Sequence, residues 1–154
     1  MSSLKAFEVA AELAARQRDA ARQALLDLQA AQRAAQAQLE QLTGYAGELR
    51  GRWGMRADCV VQPEVMHHYY QFTDRLEQAM ATQTGAVANQ GARVEQARRS
   101  LLAAELRLAS LTKVLERRRC DQALQQQRRE QKQTDESAAL RAGRARAGAS
   151  NEEY

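Results

Sequence analysis

The chain has no isoleucine, one proline, two cysteines and seven aromatic side chains among its 154 residues. β-branched and aromatic residues suit a pleated, half-buried strand, so their scarcity excludes sandwiches, barrels and α/β folds. So few bulky apolar residues cannot fill a globular core either, and an elongated molecule is expected. No apolar run approaches the roughly 20 residues a helix needs to span a bilayer. The opening Met1-Ser2-Ser3, with Lys5, Glu8 and Glu12 close behind, has no signal-peptide core. Cys59 and Cys120, on the order of 90 Å apart along a helical path, cannot pair. Two unpaired thiols suit a reducing cytoplasm.

What remains is helix-forming material. Ala supplies 31 residues, Gln 19 and Leu 17, and with Arg and Glu these make up most of the chain. A heptad frame started at Leu4 puts Leu4, Ala11, Arg18, Leu25, Gln32, Leu39 and Ala46 at a-positions. Its d-positions are Phe7, Ala14, Ala21, Leu28, Ala35, Leu42 and Leu49. Twelve of these fourteen are apolar, the mark of a left-handed coiled-coil seam. Arg18 and Gln32, polar at a-positions, set register or partner choice. The repeat then meets Gly44, Gly47, Gly51 and Gly54, each costing a helix about 1 kcal/mol. A first helix over 3–50 and a turn over 51–62 are therefore expected. Pro63 suits the first turn of a second helix, expected over 63–137, with Glu64 near its positive end. The second seam reads Met66, Tyr69, Thr73, Leu76, Met80, Gln83, Val87, Gln90, Val94, Ala97, Leu101, Ala104, Leu108, Leu111 and Leu115. Twelve of these fifteen are apolar.

A short Gly/Pro connection brings the second helix back antiparallel. The expected fold is all-α, a single domain over 1–140 in which two long helices form an antiparallel coiled-coil hairpin. The second helix is the longer, and a tail over 141–154, rich in Gly, Ala, Ser and Arg, is expected to be disordered. The numbers of facing residues then total roughly 121, which sets Leu49 by Phe72 and Leu4 near Arg117 and leaves the end of the second helix without a partner.

The residues offer no catalytic constellation. No glycine-rich turn precedes a Lys-Ser or Lys-Thr pair, as a phosphate loop requires. His67 and His68 are adjacent, so on a helix they point about 100° apart and cannot chelate as an i, i+4 pair does. No enzymatic activity, metal or cofactor is expected. The basic excess lies late: residues 113–154 carry 10 positive and 7 negative charges, against 13 and 12 in residues 1–112. Lys113, Arg117, Arg118, Arg119, Arg128, Arg129 and Lys132 cluster on the unpartnered stretch. A basic helix raises the question of nucleic acid, but Glu116, Asp121 and Glu130 interrupt the run. Leu115 and Leu124, flanked by charge, favour docking into another protein; a solvated helix end is the bland alternative. Tyr45, Trp53, Tyr69, Tyr70 and Phe72 gather at the turn end, where they either cap the coil or make an interaction tip.

Three segments in order resemble the FliJ family of flagellar type III export stalk proteins. Gln38-Leu39-Glu40-Gln41-Leu42-Thr43-Gly44-Tyr45, followed by Glu48, is similar to that family's first helix near the turn. Tyr69-Tyr70-Gln71-Phe72, with Leu76-Glu77 and Ala79, resembles the start of its second helix, and Glu130-Gln131-Lys132 with Asp135-Glu136 its C-terminal signature. Leu49 departs from the family, where tyrosine is common. The resemblance covers about 1–140. It implies a cytoplasmic, non-enzymatic export component, peripheral at the cytoplasmic face of the inner membrane through its partners. Those partners are the hexameric export ATPase, the cytoplasmic domain of the export gate, and export chaperones. Gate binding is implied for Gln38, Leu42, Tyr45, Leu49, Phe72, Leu76, Ala79 and Gln83. The helix termini are implied to enter the ATPase ring, here through Leu4, Phe7, Arg117, Arg118, Arg119, Arg128 and Arg129. A stalk of a virulence injectisome and a generic coiled-coil adaptor are the alternatives.

Overall fold

The computed structural model describes residues 2–54 and 62–152. It consists of two helices, α1 (Ser2–Gly54) and α2 (Pro63–Asn151), packed as an antiparallel hairpin with α2 the longer. Contacts divide the chain into two units, Met1–Ala14 with Arg107–Tyr154 and Ala15–Leu106. Each unit is a stretch of α1 laid against a stretch of α2.

The heptads explain both. In each unit every seam position named above is buried or half-buried. The first unit is centred on Ala14 and Leu115, the second on Ala46, Leu76, Val94 and Ala97. Half of these are alanines, so the seam is thin and each layer removes little apolar area from water. Polar seam residues lie mainly in the second unit. Gln83 donates to the Ala35 carbonyl at 2.8 Å and to Gln38 Oε1 at 3.1 Å. Gln90 Oε1 is buried without a hydrogen-bond partner. Outside the seam, Glu8 pairs with Arg119 at 3.3 Å in the first unit. In the second, Arg22 pairs with Glu105 at 4.0 Å and Arg50 with Glu77 at 3.6 Å. All six residues occupy e-positions, so the described interhelical ion pairs share one side of the seam.

Both helices run past the ends expected from composition. α1 continues to Gly54 instead of stopping at 50. The heptad that passes through Ala46 and Leu49 reaches Trp53 at the next a-position, and Trp53 stacks on Tyr69 with ring centroids 4.5 Å apart. Burial of that aromatic offsets the cost of the preceding glycines, none of which needs a positive φ. α2 opens at Pro63, where the Gln62 carbonyl accepts from the Val65 and Met66 amides at 3.1 and 3.2 Å. It runs to Asn151 instead of 137, so 141–151 is helical where disorder was expected. Alanine and arginine alternate there, and their helix propensity opposes the cost of Gly143 and Gly148. From Glu116 onward every described residue is exposed.

Candidate functional site

Two clusters of expected site residues can be located, one in each unit. In the second unit the eight residues expected at the gate form one continuous stripe across α1 and α2. Leu42, Leu49 and Gln83 are half-buried and Leu76 is buried, as d-positions should be, while Gln38, Tyr45, Phe72 and Ala79 at g-positions are exposed. Tyr45 and Phe72 keep 50% and 44% of their surface in water although their rings touch edge to face, centroids 6.1 Å apart and planes at 79°. Such a pair is worth about 0.5–1.5 kcal/mol beyond its area. Its exposed remainder is apolar surface the seam does not use. The Gln38–Gln83 hydrogen bond closes the other end of the stripe.

Phe72 meets Tyr45, one turn away from Leu49, which the seam register alone had set beside it. Flanking g-positions pair across the seam with an offset from the a/d layers, because the two helices cross at an angle. Beside this stripe sits a second aromatic group. Trp53 and Tyr69 are half-buried and close the coil, while Tyr70 packs edge-on against Tyr69 at 5.7 Å and stays 62% exposed. Of the aromatic residues at this end, Trp53 and Tyr69 thus close the coil, while Tyr45, Phe72 and Tyr70 stay largely exposed.

In the first unit Leu4 and Phe7 are half-buried near α2. The Arg118 guanidinium lies 4.4 Å above the Phe7 ring and its Nη1 donates to Ser3 Oγ at 3.5 Å. With Arg119 bound to Glu8, two of the five expected arginines are tied to α1. Arg117, Arg128 and Arg129 are exposed, and among the described residues none of them enters an ion pair. An open groove of about 610 Å³ runs along this end, lined by Leu4, Val114, Arg117, Asp121 and Gln125 among others. The arginines expected at the ring therefore split into an anchored pair, Arg118 and Arg119, and an exposed set, Arg117, Arg128 and Arg129. The sequence missed the cation–π contact. Its signal was Phe7 and Arg118 at facing d-positions.

The His67 and His68 rings lie 6.4 Å apart and tilted by 54°. Cys120 is an exposed free thiol, and Cys59 lies outside the described residues.

Comparison with known proteins gives one family match. The family described as the flagellar FliJ protein matches residues 4–147. No curated protein and no solved structure matches the chain.

Proposed function

The chain belongs to the flagellar FliJ family, and from that premise we propose that it is a non-enzymatic, cytoplasmic stalk of the export apparatus that joins the export ATPase ring to the export gate. The observation that carries this reading is the difference between the clusters. One presents an exposed aromatic stripe, and the other a basic helix whose described residues are all exposed from Glu116 onward. A bare helix bearing Arg117, Arg128 and Arg129 suits an acidic lumen, where complementary charge speeds encounter and fixes orientation. Phe7, clamped under Arg118, and Leu4 supply the apolar part of that end.

In this assignment the aromatic stripe takes the cytoplasmic domain of the gate, and export chaperones are further cargo of the same stalk. No helix among the described residues is long and apolar enough to cross a membrane, so association with the inner membrane is through the partners. The experiment is titration of the cognate export ATPase with the purified chain. The assignment requires stimulated hydrolysis that weakens as salt is raised, since exposed charges are screened within about 10 Å at 0.1 M. A hydrolysis rate indifferent to the chain at low salt would reject it.

A further inference from the structure

The two sides of the seam in Ala15–Leu106 differ in kind. The e side carries the Arg22–Glu105 and Arg50–Glu77 pairs. The g side carries no described interhelical ion pair. It presents Ala24, Ala31, Gln38 and Tyr45 from α1 and Phe72, Ala79, Ala86, Arg93 and Ser100 from α2, nearly all exposed. Alanines leave the surface low enough for another helix to approach closely, and an apolar groove lined by Ala21, Ala24, Leu28 and Ala97 lies within it.

Its rims carry opposite net charge. On the α1 rim Asp27 and Glu48 stand at c-positions, with Arg52 at the g-position that ends the face. On the α2 rim stand Arg75 at a c-position and Arg93 at a g-position. Asp27, Glu48, Arg75 and Arg93 are exposed, and none joins an ion pair between the helices among the described residues. In the antiparallel register Asp27 lies level with Arg93, and Glu48 lies within about one helical turn of Arg75.

This arrangement is self-complementary along the whole face under one operation. A twofold axis parallel to the helices lays α1 of one copy over α2 of the other at the same height. Asp27 then faces Arg93 of the second copy, Glu48 faces its Arg75, and symmetry repeats both pairs. A twofold perpendicular to the helices would instead set α1 over α1 and acid over acid. We propose that the g side is a homodimer surface, on which a second copy of this chain packs in parallel to make a four-helix bundle. The face spans about 36 Å by 20 Å, or roughly 700 Å² per copy, close to the ~800 Å² per partner of a standard interface. The inference rests on the rim charges and the small-residue face; because that face includes Gln38, Tyr45, Phe72 and Ala79 of the gate stripe, a dimer and a gate complex exclude each other, whereas engagement of the ATPase is unaffected.

Sedimentation equilibrium of the full chain at low salt tests it. The expected mass is twice the 17.2 kDa of one chain. Asp27→Arg with Glu48→Arg should raise the dimer dissociation constant roughly tenfold or more, because four cross-copy pairs become repulsive. Arg75→Glu with Arg93→Glu should do the same, and the chain carrying all four changes should regain the wild-type constant. Thr84→Glu, on the opposite side, should leave it unchanged. Circular dichroism checks that helix content is equal throughout, as exposed sites with no interhelical ion pair predict. A monomeric wild type at about 100 μM, a range that standard interfaces bind well below, would overturn the proposal. So would a dimer indifferent to the reversals, or one that the fourfold reversal fails to restore.

Discussion

The residues that decide most are those whose exposure departs from what the seam requires. Tyr45 and Phe72 touch each other yet remain about half in water, so truncating either removes little that the hairpin needs. Tyr45→Ala and Phe72→Ala should each cost about 1–2 kcal/mol in affinity for the gate's cytoplasmic domain, as interface anchors do. Calorimetric titration measures that loss, with circular dichroism confirming unchanged helix content. Equal binding by the double variant would reduce the stripe to end-packing. Gln90 departs in the opposite direction, with a buried Oε1 that finds no partner. Gln90→Leu should therefore stabilise the hairpin by about 1 kcal/mol, since a buried acceptor left unpaired carries its full desolvation cost. Urea unfolding would report it as a raised midpoint at constant slope. A lowered midpoint would mean that the amide has a function in the seam.

At the scale of the helix, the heptads were legible throughout: every a and d residue read from the sequence is buried or half-buried. What the sequence hid were the helix ends. Four glycines within 44–54 suggested a stop at 50, but the cost of glycine is small and local, and Trp53 on Tyr69 lies one heptad step beyond Leu49. The helical tail was hidden for a related reason: Gly143, Gly148 and Ser150 are breakers by composition, but the alanines and arginines between them are strong helix formers. The candidate stripe was legible as a face, since 4-3-4 spacing fixes which side chains share one side. The ring contact was not, because it depends on the offset of flanking residues between crossing helices. One consequence is direct. A Cβ added at Gly44 or Gly47 meets nothing within 4 Å, so Gly44→Ala and Gly47→Ala should each stabilise α1 by up to about 1 kcal/mol. Thermal unfolding checks this, and a loss of stability would show that these positions serve a bend.

For the molecule as a whole, folding and the proposed ring engagement fall on different parts of the same helix. The seam ends at Leu115, the last buried residue of α2, and every described residue from Glu116 onward is exposed. Helical structure without tertiary contacts is marginal in short isolated segments, so a long exposed run is costly to keep unless a partner holds it. The most direct measurement is therefore the ATPase rate with a chain that ends at residue 120. The truncated chain should keep the unfolding midpoint of the full chain, because no packed residue is lost, and should fail to stimulate hydrolysis at any concentration. Full stimulation by the folded, truncated chain would contradict the account.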